Sequence, residues 1–233
     1  TPAAMIPLTG DGGSMNPPPP VGRSNVGWWN VEHMDTTWTV DQKANRIALT
    51  QGFRETLMGP YAAHEGVPGH HLQLSIARLN PNPLRWIFQD NVLCEGWAMF
   101  AEEVFWRAGG LGDTPTASYR ALGSWRSRIR RVVYDVNIER GDWTLQQAAD
   151  YKRNTEPGKG KVDEDIMRSI NWPTQLIGYF TGKMQLMDLR REYRARLGAA
   201  YTDRKFNDAV LAEGSIPVAL IRARLLGQAL PEP

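Results

Sequence analysis

Cysteine is almost absent. The single Cys94 leaves no partner for an internal disulfide and too few thiols for a cysteine-built zinc site. Neither sign of charge dominates, with 27 basic against 25 acidic residues in 233. The basic excess expected of a nucleic-acid or membrane-surface binder is therefore missing. No run of about 18 apolar residues occurs, so no helical membrane span is expected. Histidine is scarce as well, at four residues. A signal-peptide pattern is not seen, and the chain opens Thr-Pro-Ala-Ala without methionine, which points to a start downstream of a natural N-terminus.

The length suits one sizeable domain or two small ones. Residues 1–25 are rich in Pro and Gly, with Pro17 to Pro20 unbroken, and are expected to be extended or loop-like. Trp28, Trp29, Val31, Thr36, Thr37, Trp38 and Val40 predict one or two short strands. The division expected is an extended, short-strand segment over 1–40 and a helical domain over 41–233. Asp41 reads as an N-cap, with Ala44, Ile47, Ala48, Phe53 and Leu57 as the apolar face that follows. A helical stretch over about 60–79 is interrupted by Pro68-Gly69, and a long helix is expected from Leu84 to Arg107. Further helices are predicted at about 115–139, 144–154, 162–170, 173–197, 203–212 and 216–227, with Thr144 and Asp203 as caps. Gly158-Lys159-Gly160-Lys161 lacks P-loop spacing and reads as a plain loop. The fold class is mainly α.

The basic run from Arg120 to Arg131 is interleaved with Leu122, Trp125, Ile129 and Val132 at helical spacing. It reads as the solvated face of an amphipathic helix, with a patch for an anionic substrate as the alternative.

Three of the four histidines fall within eight residues, in His64-Glu65-Gly66-Val67-Pro68-Gly69-His70-His71. Zinc takes imidazole nitrogens and carboxylate oxygens at about 2 Å and leaves one position open when it is catalytic. The helical H-E-x-x-H solution fails literally, because Pro68 stands where the second histidine belongs. His71 lies seven residues after His64, roughly 10 Å along an unbroken helix, too far to share one ion. A Pro-Gly insertion that bulges the helix brings His70 or His71 back. His70 is preferred, since it follows the insertion directly, and His71 stays open. Glu65 is then the general base, acting on a water whose pKa the metal lowers. Glu95, set among Val92, Leu93, Cys94, Trp97 and Ala98, is expected to be buried and to need a partner, either the metal as third ligand or an arginine. Gly96 permits close approach of a neighbouring helix. Glu102, seven residues on, shares the face of Glu95 and suits a supporting role, while Glu103 is expected to be solvated.

These residues resemble a bacterial family designated domain of unknown function 885, grouped with gluzincin-type metallopeptidases. Its His-Glu-Gly-x-Pro-Gly-His-His-Leu-Gln segment is matched from His64 to Gln73, and its Glu-Gly-Trp-Ala-x-x-Ala-Glu segment from Glu95 to Glu102. Trp172, Pro173, Gln175 and Tyr179 match a later Trp-Pro-x-Gln and Tyr. The likeness runs from about 55 to 227. It implies a multi-helix catalytic domain, Zn2+ as cofactor, Gln73 in a supporting role, and Tyr179 as oxyanion donor by similarity to gluzincin-type oligopeptidases. It also implies an N-terminal helical portion of the same protein forming the other wall of the cleft, and an extracytoplasmic location. Two positions depart from the family pattern, Glu139 where members carry His and Phe180 where they carry Lys, which implies altered specificity or weaker activity. Arg131 and Asp135, four apart, are expected to pair. The function expected is a zinc metallopeptidase acting on peptides or peptide-like amides. The alternatives are a metal-dependent enzyme on a non-peptide amide and a non-catalytic metal-binding subunit that needs its N-terminal part.

Overall fold

Caps and breakers set where the helices begin and end. The computed structural model describes residues 14–16, 18–19, 26–30, 37–44, 58–112, 115–156 and 162–230. The apolar face expected at Ile47 to Leu57 and the loop at 158–161 lie outside these. β1 (Ser14–Asn16) and β2 (Trp28–Asn30) pair antiparallel, with Met15 opposite Trp29. The rest is mainly helical: α1 (Met58–Glu65), α2 (His70–Ala77), α3 (Leu84–Ile87), α4 (Asn91–Arg107), α5 (Pro115–Glu139), α6 (Leu145–Thr155), α7 (Val162–Asn171), α8 (Gly178–Leu197), α9 (Asp203–Ala212) and α10 (Val218–Leu226).

Several boundaries differ from expectation, each for a local reason. A helical stretch starts at residue 40 and is capped by Thr39, not Asp41. Thr39 Oγ1 accepts from the Gln42 amide while Gln42 Oε1 accepts from that of Thr39. Thr202, not Asp203, caps α9 by accepting from Lys205. Asp203 instead occupies the first turn, where the helix dipole favours an acid. The helix expected over 84–107 is two, because Asp90 turns extended and caps α4 through the Leu93 amide at 2.7 Å. α8 starts at Gly178 and not at 173; Thr174 before it has a left-handed φ of 67°. Thr144 caps α6 as expected, and does so in a full capping box with Gln147.

α4 is the axis of the molecule, and its stripes sort the core. Leu93, Trp97 and Phe100, spaced i, i+4, i+7, pack with Leu186 and Leu189 of α8, Phe206 and Val210 of α9, and Ile221 of α10. Met99 faces a second cluster with Tyr134, Ala148, Ile166, Leu176 and Tyr179. Burial of each large apolar side chain contributes about 1.5–3 kcal/mol. α4 and α8 run parallel, since their contacts ascend together: Gly178 lies against Asn91, and Gly182 against Gly96. At that crossing the backbones touch. A Cβ on Gly96 would sit 2.4 Å from the Gly182 carbonyl carbon. Glu103 is buried and not solvated, because Lys183 Nζ lies 2.8 Å from its Oε2 and Arg107 Nε donates to its Oε1.

Candidate functional site

The His64-to-His71 segment is not a bulged helix but two helices with a complete break. α1 stops at Glu65, residues 66–69 turn, and α2 restarts at His70. Only glycine fits at 69, where a Cβ would meet the His64 carbonyl oxygen at 1.9 Å. α4 holds the turn in place, with Trp97 Nε1 donating to the Pro68 carbonyl at 2.9 Å. Trp97→Phe removes that donor and leaves the carbonyl unmatched. The expected loss is about 1–3 kcal/mol of stability, read by urea unfolding.

The break changes which histidine points where. His64 Nε2 lies 3.5 Å from Glu95 Oε2, and His70 Nε2 lies 3.4 Å from the same oxygen. The two rings stand edge to face, with centroids 4.8 Å apart. His71, about 100° further round the helix, faces the β1–β2 side instead; a Cβ on Gly27 would lie 2.9 Å from its Nδ1. Glu95 and Glu102 share one stripe of α4, about 10 Å apart along the axis, and His64 bridges them. Its Nδ1 is 2.8 Å from Glu102 Oε1, and Ser124 of α5 donates to Glu102 Oε2 at 2.9 Å.

Charge follows this geometry. Burial pulls the His64 pKa down, but its bonds to Glu102 and Glu95 outweigh burial and raise it to about 9. Burial pushes Glu95 up, yet both histidines hold it well below the usual carboxylate range. Glu102 is likewise held low against burial, by His64 first and then by Arg128 and Ser124. Tyr179 stacks on His64 at 6.2 Å between centroids. Burial and then the Glu95 charge raise its pKa, so the phenol is neutral at pH 7. Glu65 is half-buried at the end of α1, and its charge acts on Tyr61 one turn earlier.

Gln73 is placed away from this group. Its amide donates to Ser215 Oγ at 2.9 Å, which ties α2 to the α9–α10 connection. Arg131 pairs with Asp165 of α7 at 3.7 Å and not with Asp135, which is fully buried. Glu139 is exposed at the end of α5, and Phe180 is half-buried beside Tyr179. Sequence reasoning missed Ser124, Arg168 and Tyr61, and it placed Arg128 only within the basic run from Arg120 to Arg131. Tyr61 carried a signal, since it lies one turn before His64; the others come from helices distant in the chain.

Among the described residues, His64, His70 and Glu95 form a group whose ligand-capable atoms all lie within 4.8 Å of one another. Ligands about 2.0–2.1 Å from a tetrahedral ion lie about 3.3–3.4 Å apart, close to the two nitrogen–oxygen separations found here. Glu95 Oε2 is buried, with the two histidine nitrogens as its neighbours. The donor set therefore fits a divalent cation.

Fold and site together define a mainly helical protein with a part-buried two-histidine, one-glutamate cluster beside a neutral tyrosine. The chain belongs to the family described as bacterial protein of unknown function (DUF885), whose model matches residues 1–225. Two solved structures are similar. The "putative lipoprotein from Colwellia psychrerythraea" is 28% identical with a TM-score of 0.80, over 97% of this chain and 37% of that one. A "putative lipoprotein of unknown function from Shewanella oneidensis" is 24% identical with a TM-score of 0.76, over 91% and 38%, a likeness of fold alone. The chain thus spans less than two fifths of either. No curated protein matches it. No helix among the described residues is long and apolar enough to cross a membrane.

Proposed function

We propose that this chain carries a zinc-dependent hydrolase centre of the gluzincin type, which cleaves peptide or peptide-like amide bonds. The observation that carries the reading is the convergence of His64 Nε2 and His70 Nε2 on the buried Glu95 Oε2. Zinc bound there supplies a Lewis acid and lowers the pKa of water towards about 7. Glu102 engages Nδ1 of His64 and so keeps Nε2 turned to the cluster, while Ser124 steadies Glu102. Glu65 takes the proton of the attacking water and delivers it to the leaving amine. Tyr179, kept neutral, donates its O–H to the developing oxyanion. The description of the 28%-identical neighbour as a "putative lipoprotein" supports an extracytoplasmic place.

Metal analysis after dialysis against zinc tests the reading. One zinc per chain is expected, together with hydrolysis in a peptide library that chelation removes and zinc restores. Glu95→Gln should lose the ion, and Glu102→Gln should weaken its affinity about 10–100-fold. Unchanged zinc content in Glu95→Gln overturns the assignment.

Zinc competes with the proton on His64, which sets a pH dependence. The folded, metal-free chain holds that proton up to about 9, against an ordinary value of 6.5, so folding takes up a proton. The resulting stability is fully present below about 6.5 and is lost as pH rises through about 9. Zinc affinity should rise over the same window, with about one proton released per ion bound. Calorimetric titration at pH 7.5 in buffers of different ionisation enthalpy reads that proton directly; heats independent of buffer would contradict it.

A further inference from the structure

Three guanidinium groups surround Tyr179. Their central carbons lie 5.2 Å (Arg131), 5.9 Å (Arg128) and 5.9 Å (Arg168) from its ring centroid. Arg128 and Arg131 continue the inner stripe of α5 that begins at Ser124, at i+4 and i+7. Arg168 comes from α7 and donates to the Tyr179 phenol oxygen at 3.1 Å. All three are partly exposed, so the cluster opens on one side.

Among the described residues, the acidic groups that face this cluster are each shared with other partners; Glu95 faces Arg131 but is held by His64 and His70. Asp165 lies 3.7 Å from Arg131, contacts Lys152, and also faces Arg168. Glu102 faces Arg128 but is engaged by His64 and Ser124. The Nε atoms of Arg128 and Arg131 are both buried without a hydrogen-bond partner. Guanidinium groups with buried, unpartnered Nε donors keep hydrogen-bonding capacity for an added anion. The planar donor fork of arginine matches a carboxylate in two bonds.

We propose that Arg128, Arg131 and Arg168 form a subsite for a substrate carboxylate. Its role rests on the hydrolase reading above. Tyr179 stacks on His64 and also meets the guanidinium groups, so a carboxylate held by them stands near the His64–His70–Glu95 cluster. Two sources share this chemistry, the free C-terminus of a short peptide and an aspartate or glutamate side chain.

Calorimetric titration of the zinc-loaded full chain carrying Glu65→Gln, which leaves the probes uncleaved, separates these sources. The probes are Ala-Ala-Ala as free acid and as C-terminal amide, and Ala-Glu-Ala-amide against Ala-Gln-Ala-amide. At least one acidic member should bind about tenfold or more tighter than its neutral counterpart. That preference should shrink between about 20 mM and about 500 mM salt. Adding Arg168→Met or Arg128→Met should reduce acid affinity to the neutral probe's level without moving the neutral probe's own. Arg168→Lys should retain part of the preference. Equal binding within both pairs, or no binding of either acid, overturns the subsite, and neither comparison depends on how the arginine variants fold. A carboxylate preference in a chain whose wild-type form cleaves no peptide would leave the subsite standing and remove the hydrolase reading. Cleavage of acids and amides alike, with equal binding, would do the reverse.

Discussion

Glu65→Gln is expected to reduce peptide hydrolysis by about 10²–10⁴-fold, the range a positioned general base contributes, while zinc content stays at the wild-type level. The separation of the two readouts follows from the site. Glu65 ends α1 next to His64, but the oxygen that the histidine nitrogens approach belongs to Glu95. Glutamine keeps the shape and removes the basic oxygen, so kcat falls with little change in metal affinity. Turnover retained at the wild-type rate would end the assignment of Glu65 as base. Zinc lost along with activity would mean instead that Glu65 belongs to the metal-binding set.

Gly182→Ala should destabilise the chain by about 3 kcal/mol or more, at the upper end for overpacking. The added methyl would lie 1.9 Å from the Val92 carbonyl oxygen and 2.8 Å from the Gly96 Cα, and these are backbone atoms with no rotamer to escape into. α4 and α8 must then part. Since α4 carries Glu95 and α8 carries Tyr179, the site loosens with them. A thermal midpoint lower by roughly 6–12 °C is expected for a chain of this size. Gly123→Ala provides the contrast. It lies within α5 with nothing within 4 Å of its added Cβ, and alanine there should stabilise by about 0.5–1 kcal/mol. Equal effects at the two positions would refute the close crossing as the cause.

Much of the helical layout was legible in the chain, because periodic apolar residues and breakers are local signals. Thr144 reads as a cap from the chain alone, and the structure adds Gln147 as its capping-box partner. Thr39 and Thr202 were misjudged in favour of nearby aspartates, since both residue types suit a helix start and only the turn geometry shows which side chain reaches a free amide. Asp90 split a helix that apolar content alone extends back to Leu84. Glu103 was misplaced because its partner Lys183 lies 80 residues on, and no local pattern shows that a carboxylate in an amphipathic helix faces a buried amine.

The same division runs through the site. The sequence by itself determined the candidate chemistry: scarce histidines massed beside a glutamate, a Pro68 that forbids a continuous H-E-x-x-H helix, and the seven-residue spacing that sets Glu95 and Glu102 on one stripe. Those are properties of neighbours in the chain, fixed by helical geometry and by proline's missing donor. Only the tertiary structure decided that the break is complete, that His70 and not His71 approaches Glu95, that Ser124 meets Glu102, and that Arg128, Arg131 and Arg168 gather around Tyr179. Those relations depend on how α1, α5, α7 and α8 dock against α4, and docking is fixed by contacts between residues far apart in sequence, such as Gly96 against Gly182.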